Sequence, residues 1–364
     1  MGNNDYSEIG SDFWIHNGSS RSSNTITLPD YILNGLCATG RGALSYVIET
    51  LLRKKINKKV LLPSYICESV ILPFTNHGFK CSFYDVNKDL SPNISSFKNN
   101  YDDDIGIILY HDYFGFNTSK NLYKLLEICH KKGTYIIEDI THSLLSDYPR
   151  FENNNYLIGS IRKWEGMPSG AFIYPDHINK EQKYVENTEY TNIRKEALLL
   201  KASYIKNKNL KKKEQFLNLF QKAQKVLEKN TAYYKIDNLS KNIIQSIDVS
   251  LLTKARQKNY CLLLDYIRFN DIIQPVFYDL PTGVTPIFFP VLVEEKRDEL
   301  RNHLARSSIY CPIHWPLASA LQTVKNTSTA QIYPKILSLP CDQRYTKTQM
   351  ERIASTINDF YKTI

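Results

Sequence analysis

Across residues 39–174 the sequence alternates short apolar runs with stretches of helical periodicity, and a chain that does this has few ways to fold. The runs at 60–62, 81–84, 105–110, 135–137, 157–159 and 171–174 are apolar on both faces and rich in Ile, Leu, Phe and Tyr. That is the signature of strands buried on both sides in a mainly parallel sheet. Residues 41–52 and 119–131 have the spacing of helices that lie between strands. The alternation therefore predicts an α/β sheet covered by helices on both faces. Downstream, 181–235 reads as long helices and 251–266 as a further helix leading to a second unit. Residues 284–293 read as a strand that Pro286 and Pro290 would place at a sheet edge. Helices are predicted at 294–307 and 346–361, which makes the tail a smaller α+β domain. A length of 364 residues suits two packed domains.

No apolar stretch is long enough to span a bilayer. The first residues, with Asp5, Glu8 and Asp12, lack the basic start and apolar core of a signal peptide. Tyr6 stands where a myristoylation signal at Gly2 needs Ser or Thr. A cytoplasmic protein with no membrane partner is the expectation. The seven cysteines are odd in number, scattered and without a Cys-x-x-Cys pair, which argues against a disulfide framework and a zinc cluster; no metal is expected. The Asn17-Gly18-Ser19 triplet is of a kind that an Asn-rich chain produces by chance. Of the net charge of +9, much falls between Arg194 and Lys229, including the run Lys211-Lys212-Lys213. A solvated helix face explains this run better than a nucleic-acid grip, because no aromatics interleave the lysines. No nucleic-acid partner is expected.

Three segments can carry chemistry. In Tyr135-Ile136-Ile137-Glu138-Asp139-Ile140-Thr141-His142, acidic residues close an apolar strand, which puts Asp139 at the carboxyl edge of the sheet, where open α/β folds bind ligands. A carboxylate there can hold a pyridinium nitrogen protonated; taken alone, a helix N-cap explains the pair better. In Gly159-Ser160-Ile161-Arg162-Lys163-Trp164, Lys163 follows one strand and precedes a Gly/Pro-rich turn into another. A lysine drawn into a dry pocket becomes a usable amine nucleophile, although a turn lysine is commonly just exposed. In Ala38-Thr39-Gly40-Arg41-Gly42-Ala43-Leu44, glycines at a helix start allow a phosphate to approach free N–H groups. A plain capped helix fits that segment equally well. It is neither a Walker loop nor a dinucleotide fingerprint.

Taken in order, these segments resemble the DegT-type sugar aminotransferases, whose motifs appear here as Thr39-Gly40-Arg41-Gly42-Ala43-Leu44, Leu61-Leu62-Pro63-Ser64-Tyr65, Gly78 to Asp85, His111-Asp112-Tyr113-Phe114-Gly115, Glu138-Asp139-Ile140-Thr141-His142 and the Lys163 turn. Tyr310 to Pro316 and Ile336 to Pro340 resemble the family's last two blocks, so the likeness runs from about Thr39 to the end. Each motif is short, but six in the right order are hard to obtain by chance.

The resemblance implies the type I architecture of pyridoxal 5'-phosphate (PLP) enzymes: a large domain with a seven-stranded, mainly parallel sheet between helices, and a smaller C-terminal α+β domain. The divisions expected are an N-terminal arm at 1–30, the large domain at 31–245 and the small one at 246–364. It further implies that Lys163 carries PLP as a Schiff base and shuttles the proton, that Asp139 holds the pyridine nitrogen and that His142 contacts the phenolic oxygen. The phosphate would lie on the backbone around Gly40, Arg41 and Gly42. Cys67 stands where the family carries an aromatic on the cofactor ring, with Tyr65 as a candidate substitute. Ser160 is the remaining cofactor contact, although its run to Lys163 is shorter than in the usual sugar enzymes. His314 and Trp315 could contact substrate at the active-site mouth, but core packing of Trp315 with His314 at the surface is preferred. Phe13 and Trp14 point to an arm that docks on the body or on a partner subunit.

The implied activity is amino transfer to a keto-sugar, nucleotide-linked, from glutamate or glutamine, by a homodimer. PLP chemistry on a non-sugar carbonyl or amino compound is the rival among enzymes, and a non-catalytic regulator on the same fold is the rival outside them.

Overall fold

Seven strands hydrogen-bond into one sheet in the spatial order Leu36–Cys37, Ala171–Tyr174, Tyr156–Gly159, Tyr135–Asp139, Ile107–Tyr110, Lys59–Pro63 and Lys80–Tyr84. All run parallel except Ala171–Tyr174, which is antiparallel to both its neighbours. This computed structural model describes residues 8–15, 26–176, 184–322 and 327–362. Asn17-Gly18-Ser19 and the remainder of the expected arm (1–7 and 16–25) lie outside the described residues, as do 181–183 at the start of the expected helical stretch.

The strands form where the sequence is apolar without interruption because each is covered on both faces. Val60, Leu62, Ile107, Leu109 and Ile137 enter one core with the helices Gly40–Leu52 and Glu68–Asn76. The alternate residues Leu61, Ile108, Tyr110 and Ile136 enter another, under Ile94–Asn100 and Tyr123–Lys131. This is the period of two expected of strands sandwiched between helices.

A three-stranded sheet is built from Ile273–Pro275, Phe289–Val293 and Ile336–Leu339. Phe289–Val293 is its central strand, not the edge strand that its prolines predict. Pro286 lies outside the strand, and Pro290 sits one residue beyond the end of Ile273–Pro275, where its carbonyl accepts from Val276 N–H at 3.0 Å. Its missing N–H therefore costs only the last rung of the ladder. The largest apolar cluster joins this region to the first sheet, from Tyr65, Tyr113 and Trp164 to Phe289, Leu337 and Ile353.

The described part of the arm docks on the body. Ile9–Gly10 pairs in parallel with Ile309–Tyr310, and Arg344 stacks on Phe13 at 4.1 Å and on Trp14 at 5.0 Å. Helices Thr188–Asn207 and Leu210–Lys229 form a hairpin beside it. Within the lysine run, Lys213 is not simply solvated: it pairs with Glu8 at 2.5 Å and reaches the Tyr310 hydroxyl at 3.1 Å. All seven cysteines are free. No helix is long and apolar enough to cross a membrane among the described residues.

Candidate active site

Parallel strands deliver their carboxyl ends to one edge, and the strand order reverses between Lys59–Pro63 and Ile107–Tyr110. At that edge lies a cavity of about 190 Å³. Its walls come from segments far apart in sequence: Thr39 to Arg41, Cys67, His111, Asp139 with Thr141 and His142, Ser160 with Arg162 and Lys163, and Trp315.

One wall is the start of the helix Gly40–Leu52. Thr39 caps it, its Oγ1 accepting from Gly42 N–H at 3.0 Å, and Ala43 N–H bonds to the Thr39 carbonyl at 2.9 Å. The N–H groups of Gly40 and Arg41 make no hydrogen bond among the described residues, and both residues line the cavity. Across from them, the Ser160 Oγ is buried without a partner. Two free N–H groups, a hydroxyl and the Arg41 guanidinium make a cradle for an oxyanion. Gly42 belongs to the cap and not to the cradle. A Cβ at Gly42 would stand 2.8 Å from the Ala232 carbonyl oxygen and 3.2 Å from Thr39 Oγ1. Gly42→Ala is therefore expected to cost about 1–3 kcal/mol by overpacking, read as a fall in the urea midpoint together with weaker phosphate-ester binding.

Asp139 ends its strand inside the cavity, and the preceding acid goes the other way. Glu138 is completely buried, paired with Arg150, whereas Asp139 Oδ1 accepts from Thr141 N–H at 2.9 Å and from its hydroxyl at 2.5 Å. Thr141 Oγ1 also accepts from Ser160 N–H at 3.0 Å, so one hydroxyl ties the acid to the lysine turn. Asp139 Oδ2 has no partner among the described residues. No helix directly follows Asp139 among the described residues, so the pair does not cap one; Asp139 accepts from Thr141 N–H as the first residue of a turn, and strand alternation sends Glu138 to the opposite face.

His142 stacks on Trp315, with ring centroids 5.0 Å apart, and its Nδ1 accepts from Phe114 N–H at 3.4 Å. With Nδ1 accepting, the proton of the neutral ring sits on Nε2. Phe114 and Gly115 hold this turn with φ of 56° and 101°, and a Cβ at Gly115 would strike the Thr285 carbonyl oxygen at 2.2 Å. Burial, with the neighbouring rings of His314 and His111 and with Lys163, keeps His142 well below the ordinary histidine value. Burial lowers His111 as well, and lowers His314 to about 3. Folded-state values below the unfolded value of about 6.5 mean that the unfolded chain takes protons first. Stability is then fully present above pH ~6.5 and falls as pH drops toward the folded values, by about 1.4 kcal/mol per pH unit for each such histidine. Urea unfolding at pH 7 and pH 5 checks this, and an unchanged midpoint would contradict it.

Lys163 leaves a short turn after Tyr156–Gly159 and, with its side chain accessible, lines both the cavity above and a second one behind it. Desolvation, then the adjacent Arg162 guanidinium, lowers its amine below the ordinary lysine value. It makes no hydrogen bond among the described residues. A desolvated primary amine facing a cavity is a nucleophile in waiting.

Of the residues predicted from the sequence, Gly40, Arg41, Cys67, Asp139, His142, Ser160, Lys163 and Trp315 meet in this cavity. Gly42 and Tyr65 do not line it. Tyr65 is wholly buried behind it, its ring 5.4 Å from Trp315 and 5.3 Å from Tyr113. It therefore does not replace the missing aromatic at Cys67; His111 and Trp315 are the rings that the cavity offers besides His142. The preferred placement of His314 and Trp315 is reversed. His314 is buried, with Nδ1 2.9 Å from Ser338 Oγ, and Trp315 reaches the cavity. Sequence reasoning missed His111, Thr141 and Arg162 as site residues. The first opens a recognised motif and the last adjoins the lysine, so position alone could have flagged both.

Neither a family model nor a curated protein matches the sequence. Solved structures do match the fold. The aminotransferase TlmJ from Streptoalloteichus hindustanus superposes with a TM-score of 0.64 at 15% identity, over 90% of this chain and 86% of that one. The chain shares an aminotransferase fold. PseC of Helicobacter pylori, an aminotransferase in the biosynthesis of pseudoaminic acid, superposes at 0.65 with 13% identity over 90% and 86%. The sugar aminotransferase CalS13 from Micromonospora echinospora superposes at 0.63 with 13% identity over 93% and 94%. The expected α/β architecture is thus present, including the seven-stranded sheet.

Proposed function

We propose that this chain is a PLP-dependent aminotransferase of the DegT type, transferring an amino group from glutamate or glutamine to a keto-sugar that is nucleotide-linked. The observation that carries the reading is the meeting of Asp139, Lys163 and the uncapped N–H groups of Gly40 and Arg41 in one cavity. The residues present fit the cofactor. A phosphate needs the cradle of Gly40, Arg41 and the partnerless Ser160 hydroxyl; a pyridinium needs the free oxygen of Asp139; a phenolic oxygen needs a donor such as His142 Nε2–H. When bound, PLP supplies an electron sink for the carbon that loses its proton.

The chain's own groups do the rest. Asp139 keeps the ring nitrogen protonated, and Thr141 holds Asp139 in place. Lys163 offers the amine that attaches the cofactor and then moves the proton at the reacting carbon. Trp315, His111 and His142 wall the cavity beside it with rings. Lysine at this position supports amino transfer over the non-catalytic reading. The sugar substrate draws support from the likeness to CalS13, a sugar aminotransferase. In the same reading residues 31–245 bind the cofactor, residues 246–364 complete the substrate side, and two copies assemble as a cytoplasmic homodimer.

Titrating the purified protein with PLP tests this: a visible absorption band that glutamate or glutamine bleaches is expected. A protein that develops no band has a different function.

A further inference from the structure

A second cavity, of about 420 Å³, adjoins the first and shares Arg162 and Lys163 with it. Five cationic side chains line it (Arg162, Lys163, Arg194, Arg301 and Arg344) against one carboxylate, Asp12 of the docked arm. Two of these cations are already committed. Arg344 grips Asp342 through two bonds of 2.8 Å, and Arg301 Nε donates to the Cys311 carbonyl at 3.1 Å. Arg162 and Arg194 are different. The side chain of Arg162 makes no hydrogen bond or ion pair among the described residues, and its Nε is buried. Arg194 Nε is likewise buried without a partner, and its NH2 stands 3.6 Å from Asp12 Oδ1, too long for a hydrogen bond.

A guanidinium without a partner, as at Arg162, or held only by a 3.6 Å ion pair and the Phe220 ring, as at Arg194, is under-satisfied, and a planar fork of N–H donors matches the oxygens of a phosphate or carboxylate. Asp12 is hydrogen-bonded through its backbone, its carbonyl oxygen accepting from Lys201 and, at 3.1 Å, from Arg344, while its carboxylate makes only the 3.6 Å ion pair with Arg194. The carboxylate can therefore swing away while the arm stays docked. Partial desolvation raises the Asp12 carboxyl, whose side chain is 52% exposed, but Arg194, Lys201, Lys163 and Arg162 together outweigh that and hold it below the ordinary value, ionised.

We propose that this cavity binds an anionic group of the substrate, phosphate or carboxylate, on Arg162 and Arg194, and that Asp12 is the internal carboxylate which that group displaces. The proposal rests on the aminotransferase reading and names the residues that select a charged substrate on the far side of Lys163. The anion has two possible sources, the diphosphate of a nucleotide-linked sugar or the carboxylate of the amino donor.

The test is calorimetric titration of the PLP-loaded protein with inorganic pyrophosphate and, separately, with glutarate, which has the carboxylates but no amine. Asp12→Asn is expected to bind the matching anion about tenfold tighter and Arg194→Gln about tenfold weaker, the worth of one charge-assisted hydrogen bond. A response to pyrophosphate assigns the diphosphate, and a response to glutarate assigns the donor carboxylate. If neither variant changes either affinity while the absorption band is intact, the anion site is wrong and the cofactor reading stands. If no band forms, the cofactor reading fails, and the same titrations are run beside Arg41→Ala. Binding lost in Arg194→Gln but kept in Arg41→Ala then still supports the anion site, and the reverse overturns it. Asp12→Asn keeps the test decisive if Arg194→Gln does not fold.

Discussion

Lys163→Ala is expected to leave a folded protein that releases PLP on dialysis and transfers amino groups roughly a thousandfold more slowly, or worse. The size of the loss follows from the lack of a substitute. Among the described residues, Lys163 is the only lysine lining either cavity. Among the described residues Lys201 is the other lysine whose amine burial lowers, to about 7, and it is committed to the arm through Ser11 Oγ and the Asp12 carbonyl. Stability should not fall with activity, because Lys163 makes no hydrogen bond among the described residues and desolvation already disfavours its charge. Removing such a cation is neutral or stabilising. Activity and melting temperature measured on the same preparation check both halves. A variant retaining a tenth of the activity, or a band that survives dialysis, would remove Lys163 from its role.

Arg150→Met is expected to cost about 3–5 kcal/mol, the range for removing one partner of a buried ion pair. Glu138 is wholly buried and its carboxylate accepts from Arg150 NH1 at 2.5 Å, Tyr110 hydroxyl at 2.9 Å and Asn154 Nδ2 at 2.7 Å. Arg150 also donates to the Ser143 carbonyl at 2.7 Å and to its hydroxyl at 3.1 Å, which pins the turn after Asp139 back onto the strand. Removal of the guanidinium leaves without its counter-charge a carboxyl that burial already raises to about 7, and frees the turn that aims Asp139 and His142. Adding Glu138→Gln to Arg150→Met removes the unpaired charge and should restore more than half of the loss. Urea unfolding of the two variants decides the matter: a single-variant loss under about 1 kcal/mol would show that the pair is not holding this edge.

These two residues also mark where the sequence stops being informative. Asp139 and Lys163 were legible because one ends and the other follows a strand of the sheet, and strands buried on both faces leave uninterrupted apolar runs that periodicity detects. Ala171–Tyr174 was found to the residue for that reason, and the others to within two. Leu36–Cys37 and Ile9–Gly10 were not found, since two residues paired through backbone alone carry no side-chain pattern. The split of Glu138 from Asp139 was implicit in strand alternation, but the partner of Glu138 lies 12 residues on and leaves no local signal.

Local pattern alone therefore determined the layered α/β plan, the acid at the strand end, the capped glycine turn and the lysine between two strands, because each depends on neighbours along the chain. Only the tertiary structure decided that Tyr65 lies behind the cavity and Trp315 within it, that Gly42 serves the cap, and that Asp12 meets Arg194 beside Lys163. Those outcomes are set by how the sheet edge, the docked arm and the C-terminal loop close on one another, which is a balance of long-range packing and desolvation that no window of sequence contains.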